Sequence, residues 1–144
     1  MDVFEDAVLE FLTHEGKVFV CPQFRGEGFD PDFVALNFEE RPMRVEIVEV
    51  NSETYRPSGL INKLQWYREN EAPIVNLLVT RLSELKGLGL TERTPLILRV
   101  FIQRKHVGWL GEHLNGVKNV RINSLDHVFE TLLDWQKRKL ASEG

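Results

Sequence analysis

The sequence predicts an α/β fold in which helices flank a central mixed β-sheet of about five strands. Two observations lead to this fold class. Patterns typical of helices and strands follow one another in the order helix, three strands, one or two helices, two strands and helix. The 144 residues are also 42% hydrophobic and 28% charged, which is typical of a globular protein with a single domain, residues 1–144.

The N-terminal segment predicts a helix and then a strand at the edge of the sheet. Residues 2–14 (DVFEDAVLEFLTH) begin with Asp2, a favourable N-cap residue, and Gly16 is well placed to end the helix. The apolar side chains of this helix fall on one stripe, formed by Phe4, Ala7, Val8, Phe11 and Leu12. Residues 17–24 (KVFVCPQF) are typical of a strand, and Pro22 indicates an edge position or the end of the strand, because proline donates no backbone hydrogen bond.

A hairpin is predicted next. The turn-rich residues 25–32 (RGEGFDPD) precede a short apolar strand at residues 33–38 (FVALNF). A tight turn at residues 39–42 (EERP) then leads into a strand at residues 43–50 (MRVEIVEV). Two strands joined by so short a turn are expected to pair with each other.

The second half of the chain predicts helices, strands and a closing helix. Residues 56–71 are typical of a helix with Ser58 as its N-cap, and residues 72–89 of a second helix that Gly87 and Gly89 close. The remaining segments are a strand with an apolar first half at residues 94–106, a loop at residues 107–116, a last strand at residues 117–122 and an amphipathic helix at residues 124–140.

Composition excludes several classes of protein. No apolar run approaches the roughly 20 residues that a membrane-spanning helix needs, and the acidic N-terminus lacks the basic segment of a signal peptide. The single cysteine, Cys21, excludes an internal disulfide framework and a cysteine-based zinc site, and its apolar surroundings indicate a small buried residue. The four histidines show no metal-ligand spacing. These features are typical of a soluble cytoplasmic protein.

Charge is distributed unevenly along the chain. The net charge of -4 argues against a dedicated nucleic-acid binder, which usually has a basic bias. Acidic residues are concentrated in residues 1–53, however, and Glu112 is the one acid in residues 95–121. The basic residues of that later stretch are Arg99, Arg104, Lys105, Lys118 and Arg121. An acidic site beside a basic surface suits metal-assisted chemistry on a phosphodiester.

Polar side chains are predicted to meet at the end of the hairpin. Asp32 lies at the start of one strand, and Glu49 and Asn51 lie at the end of its neighbour. Because side chains alternate along a strand, Glu49 and Asn51 share a face while Val50 points away. Mg²⁺ prefers oxygen ligands, typically one or two carboxylates completed by water and phosphate, and it activates water for attack. The pattern therefore predicts an acidic metal site.

These residues resemble motifs of the PD-(D/E)XK nuclease superfamily, and within it the archaeal Holliday junction resolvases. PDFVA is similar to the Pro-Asp motif, IVEVN to the (D/E)XK strand, and EDAVLEFLTHEGKVFV to the first helix and strand of the family. The resemblance covers roughly residues 4–70. It implies a restriction-endonuclease-like three-layer fold, a metal-dependent DNA endonuclease, and a symmetric homodimer like that of the junction-resolving relatives.

The resemblance also implies roles for particular residues. Asp32 and Glu49 would be ligands of Mg²⁺ or Mn²⁺, and the backbone carbonyl of Val50 would be a further ligand. Glu5 would be the auxiliary acid of the first helix. Asn51 would take the place of the motif lysine, and the helix with KLQWY would follow the motif, with Lys63 and Gln65 on it.

Asn51 departs from the family pattern, in which a lysine at this position orients the attacking water. Asparagine hydrogen-bonds to water but brings no positive charge, and losing one preorganised stabilising group costs roughly 10²- to 10³-fold in rate. Lys63 is the candidate to supply the missing cation. Three hypotheses stay open: a Mg²⁺-dependent endonuclease, a catalytically inactive nuclease-fold module that binds DNA or protein, and an α/β protein whose motif match is accidental.

Several side chains near the motif have simpler interpretations. Glu46 lies on the opposite face of the strand from Glu49 and is expected to be solvated or salt-bridged. Lys63 is expected to be exposed on a polar helix unless it takes the role of the motif lysine. Trp66 and Tyr67 are predicted to belong to the core rather than to stack on nucleic-acid bases.

Overall fold

A computed structural model of the chain describes residues 2–15, 18–22, 24, 26, 28–37, 43–82 and 89–143, with only the backbone of residues 18–22. This part of the chain forms five helices and five strands. In chain order they are α1 (Val3–Thr13), β1 (Val18–Pro22), β2 (Phe33–Asn37), β3 (Arg44–Asn51), α2 (Ser58–Glu69), α3 (Glu71–Arg81), β4 (Leu96–Ile102), α4 (Arg104–His113), β5 (Val120–Ser124) and α5 (Leu125–Glu143).

The strands form one mixed sheet in the order β1-β2-β3-β4-β5. β2 pairs with β1 and β3 in antiparallel fashion, which confirms the predicted hairpin and places β1 at the edge, as Pro22 indicated. β4 runs parallel to both β3 and β5. Parallel neighbours need long crossovers, and α2 with α3 makes the first of these while α4 makes the second.

Helices cover both faces of the sheet. α2, α3 and α4 pack on the face that includes Ile47, and α1 and α5 pack on the face that includes Val48. Neighbouring residues of β3 thus contribute to opposite cores, because strand side chains alternate. Every residue of β4 is buried, as expected for the predicted interior strand. Among the described residues, no helix is long and apolar enough to cross a membrane.

The first helix agrees closely with its sequence pattern. Asp2 caps α1, since its Oδ1 accepts a hydrogen bond from the backbone N–H of Glu5 at 2.8 Å. The buried side chains of α1 are Ala7, Val8, Phe11 and Leu12. The predicted helix stop at Gly16 and the predicted turn at residues 39–42 lie outside the described residues.

The segment after β4 was predicted wrongly. Residues 104–113 form α4, whereas the sequence pattern predicted a strand to residue 106 and a loop over residues 107–116. Gly108 and Gly111 lower the helix propensity of the segment. The buried side chains of His106 and Leu110 nevertheless give α4 a face that packs on the sheet, and packing of this kind supplies most of the stability of helices in proteins.

Three element boundaries also differ from the prediction. Ser58 is the first residue of α2 rather than its cap, and the N-cap Pro57 makes no side-chain capping bond. α3 ends at Arg81; Gly87 lies outside the described residues, and Gly89 occupies a turn with a φ of 98°. β5 spans residues 120–124 instead of 117–122, because its pairing with β4 begins at Val120 opposite Leu98.

Candidate functional site

A cavity of about 500 Å³ opens at the carboxyl end of β3. Its walls come from the residue before β2, the last residues of β3, the segment that follows β3, and the N-terminal part of α2. Five of the residues singled out from the sequence line it, namely Asp32, Glu49, Val50, Asn51 and Lys63. The fold therefore brings these residues together at one place.

Glu49 forms the floor of the cavity and is only 4% exposed. Its carboxylate points from β3 toward α2, where the Tyr67 hydroxyl donates a hydrogen bond to Oε1. Lys63 Nζ lies 2.9 Å from Oε1 and donates to Oε2 at 3.1 Å. A buried carboxylate needs partners of this kind, since an unpaired buried charge is strongly unfavourable. One turn of α2 supplies both partners.

Burial raises the pKa of Glu49 to about 7. The hydrogen bond from Tyr67 and the positive charge of Lys63 oppose this rise, whereas the negative charge of Asp32 adds to it. The Glu49 carboxyl is therefore expected to ionise near neutral pH. Burial and the adjacent Glu49 carboxylate raise the pKa of Tyr67, so that this hydroxyl remains a hydrogen-bond donor.

Asp32 stands one residue before β2, opposite the end of β3. Its Oδ2 accepts a hydrogen bond from the backbone N–H of Val50 at 2.7 Å. The bond ties the start of β2 to the end of β3 and holds the Asp32 side chain at the cavity. Asp32 thus both makes a local hydrogen bond and lines the cavity.

Asn51 lines the cavity, whereas Glu5 does not. Asn51 Oδ1 accepts from the backbone N–H of Glu53 at 3.0 Å, which forms a local turn at the end of β3. Glu5, on α1, is not among the described residues that line the cavity. Burial and the negative charge of Asp32 nevertheless raise the pKa of Glu5.

The oxygen atoms of the site suit a small, hard cation. Within the described ranges, no group of three His, Cys, Asp or Glu side chains is arranged to hold a metal ion. A metal here would have two carboxylates, Asp32 and Glu49, and the Val50 carbonyl. Mg²⁺ is usually bound by one or two carboxylates and keeps several waters, and Mn²⁺ accepts the same ligands. The donor set fits these two ions.

The opposite face of β3 carries a separate ionic cluster. Glu46, which is 1% exposed, pairs with Arg99 of β4 at 3.0 Å, and Arg99 also pairs with Glu15 at 2.6 Å. Arg99 Nε donates to Asn123 Oδ1 at 3.0 Å. Glu46 was predicted to be solvated or salt-bridged; it is buried and salt-bridged.

Tyr67, Tyr55 and Arg56 are among the residues of the site that were not recognised from the sequence as part of it. Tyr67 is buried in the core, as predicted, but its hydroxyl also holds Glu49. Tyr55 and Arg56 line the cavity and are exposed. Tyr55 and Arg56 could have been found from the sequence, because an aromatic residue stands beside a basic one in the polar segment just after the motif strand.

The fold is similar to that of a protein of known structure, the restriction endonuclease FokI bound to DNA. The TM-score is 0.52 at 12% sequence identity, and the match covers 88% of this chain and 23% of that chain. The chain thus spans about a quarter of the length of that protein. The likeness supports a restriction-endonuclease-like fold. No protein-family model matches the chain, and comparison with curated proteins gives no match.

Proposed function

We propose that this chain is a metal-dependent endonuclease-like protein of the PD-(D/E)XK type, which hydrolyses phosphodiester bonds in DNA. The observation that carries the proposal is the meeting of Asp32, Glu49 and Lys63 in one cavity at the end of β3. The fold likeness to a restriction endonuclease that was bound to DNA supports it.

In this proposal Asp32, Glu49 and the Val50 carbonyl hold Mg²⁺ or Mn²⁺. The bound ion supplies Lewis acidity and a water of lowered pKa. Lys63 provides the positive charge that Asn51 lacks, delivered from α2 rather than from β3. Its Nζ also donates to the Asp30 carbonyl at 3.1 Å, which holds it at the wall of the cavity. Tyr67 orients the Glu49 carboxylate from below.

A cleavage assay on the intact chain tests the proposal. Duplex, branched and single-stranded DNA are incubated with Mg²⁺ or Mn²⁺, and the unsubstituted chain is compared with Asp32→Ala and Glu49→Gln. We expect divalent-ion-dependent cleavage that both substitutions abolish. Glu130→Gln is the matched control, because Glu130 is an exposed carboxylate on α5 in a surface ion pair. Cleavage that survives both site substitutions would refute the assignment.

Lys63→Ala tests the role of the substitute lysine. Removing one preorganised cation is expected to slow cleavage roughly 10²- to 10³-fold. Lys139→Ala, which removes an exposed lysine near the end of α5, should leave the rate unchanged. Equal rates for Lys63→Ala and Lys139→Ala would exclude Lys63 from the reaction.

A second candidate function is a catalytically inactive nuclease-fold module that binds DNA or protein. Lys63 and Tyr67 together engage both oxygens of Glu49, so its charge is satisfied without a metal. This alternative predicts that Mn²⁺ does not bind, as measured by calorimetry, and that Asn51→Lys shows no cleavage. If Mn²⁺ binds and Asp32→Ala removes this binding, the result would favour the endonuclease over the inactive module.

The assembly is also part of the proposal. By resemblance to the junction-resolving relatives, we propose a homodimer. Light scattering on the purified chain measures its mass directly, and a monomer at micromolar concentration would contradict this point.

A further inference from the structure

The segment that follows β3, residues 52–57, forms the outer wall of the cavity and is held in place by α4 and the residue before it. Gln103 Nε2 donates to the Ser52 carbonyl at 2.8 Å. The buried His106 donates from Nε2 to the Thr54 carbonyl at 3.2 Å. These bonds fix the backbone of the wall on one side of Tyr55.

Arg56 contacts α4 on the other side of Tyr55. Its guanidinium carbon lies 5.9 Å from the ring centroid of Trp109, also on α4. Among the described residues, no carboxylate or carbonyl accepts a hydrogen bond from Arg56. A contact with the face of a ring leaves the N–H groups of a guanidinium available, and arginine binds phosphate oxygens through two such donors at once.

Tyr55 is exposed although its neighbours are anchored. Its side chain is 65% accessible to solvent, and it lines the cavity that contains Asp32 and Glu49. Most large aromatic side chains lose more of their surface on folding. The contacts of Thr54 and Arg56 with α4 order the segment around Tyr55. This segment therefore loses little conformational entropy when a ligand binds to Tyr55.

We infer that Tyr55 stacks on an unpaired nucleobase and that Arg56 binds the adjoining phosphate. The substrate would then carry a single-stranded nucleotide next to the phosphodiester bond that is cleaved at Asp32 and Glu49. A base inside a duplex has both faces covered by its neighbours, whereas an unpaired base offers a face to an aromatic side chain. The cavity of about 500 Å³ lies within the range of roughly 300–1,000 Å³ for small-ligand sites. A cavity of this size accommodates one nucleotide.

The inference rests on the proposed function, and its test is independent of cleavage. Fluorescein-labelled oligothymidylate and a duplex of equal length are titrated with the intact chain in EDTA, and binding is followed by fluorescence anisotropy. We expect tighter binding of the single strand. Tyr55→Ala should weaken it about tenfold, a typical loss for removal of a stacking aromatic, and Tyr55→Phe should retain it because the ring remains.

A matched control separates stacking from a general effect of losing an exposed aromatic. Phe129 is 39% exposed on α5 and does not line this cavity, so Phe129→Ala should bind the single strand like the unsubstituted chain. Arg56→Ala should weaken binding and reduce its dependence on salt, as expected for a lost phosphate contact.

The outcomes of the two assays are distinguishable. Loss of single-strand binding in Tyr55→Ala, with Tyr55→Phe unchanged, supports the inference whether or not the chain cleaves DNA. Equal single-strand affinities for the unsubstituted chain and Tyr55→Ala would overturn it, and so would tighter binding of the duplex. Absence of cleavage together with intact single-strand binding counts against the proposed hydrolysis alone.

Discussion

Substituting Glu49 with glutamine is expected to make the stability of the chain less sensitive to pH. Glutamine keeps the size of the side chain and an oxygen that accepts from Tyr67, but it does not ionise. Burial raises the pKa of Glu49 from its ordinary value of 4.5 to about 7. The folded chain consequently holds this proton more tightly than the unfolded chain does.

The sign and size of the effect follow from this difference. Because the folded-state pKa is the higher one, the stabilisation from protonated Glu49 is complete below about pH 4.5 and is lost as the pH rises through about 7. At about 1.4 kcal/mol per pKa unit, the difference between the folded-state and unfolded-state pKa values of Glu49 corresponds to about 3 kcal/mol of stability. The free energy of unfolding of Glu49→Gln, relative to the unsubstituted chain, should therefore rise by about 3 kcal/mol between acidic and neutral pH.

Urea unfolding in EDTA, followed by circular dichroism at several pH values between about 4.5 and 8, measures this difference. Taking the difference between the two chains cancels the contributions of ionisable groups that do not interact with Glu49. Glu130→Gln is the control, and its difference should vary by less than about 0.5 kcal/mol because an exposed ion pair contributes little. A constant difference for Glu49→Gln would refute the reasoning, since it would mean that Glu49 ionises as an exposed carboxyl does.

Three further substitutions test other parts of the fold. Arg99→Met should lower the free energy of unfolding by about 3–5 kcal/mol, because Glu46 is then buried without its partner; a loss below about 1 kcal/mol in urea unfolding would contradict a buried pair. Gly108→Ala should stabilise the chain by about 1 kcal/mol, since Gly108 lies inside α4 and an added Cβ has no atom within 4 Å. Gly89→Ala should destabilise it, because Gly89 has a φ of 98°. Thermal unfolding compares the two glycine variants, and destabilisation by Gly108→Ala would argue against a helix there.

The elements with a strong local pattern were predicted well from the sequence. The apolar run of β4 and the stripe of α1 each specify one environment, and packing in the fold agrees with both. The hairpin of β2 and β3 was also predictable, because its two apolar segments are separated by a few turn-forming residues.

α4 was not predictable in the same way. Its sequence contains two glycines and follows directly on a strand, so local propensity favours a loop. The helix depends on contacts between its buried face and the sheet, and these contacts join residues that are distant in sequence. Propensity alone gives no information about such contacts.

The same limit applies to the site. Strand alternation placed Glu49 and Asn51 on one face, and the predicted hairpin placed Asp32 opposite them. Lys63 was a candidate because it lies on the next helix. Tyr55 was missed for a different reason. The exposed position of Tyr55 depends on hydrogen bonds that Gln103 and α4 make to residues 52–57. Because α4 was predicted to be a loop, these bonds could not be foreseen. The roles of these residues in metal binding and cleavage stay predictions.

The support of residues 52–57 by α4 has a consequence for engineering. The carboxylates belong to the hairpin formed by β2 and β3, while the wall that faces the ligand is positioned by the crossover between β4 and β5. Under the proposed function, reactivity and substrate choice are therefore encoded in separate stretches of the chain. Randomising the exposed positions of α4, together with Tyr55 and Arg56, is expected to change the nucleic acid that the chain accepts while Asp32, Glu49 and Lys63 are kept.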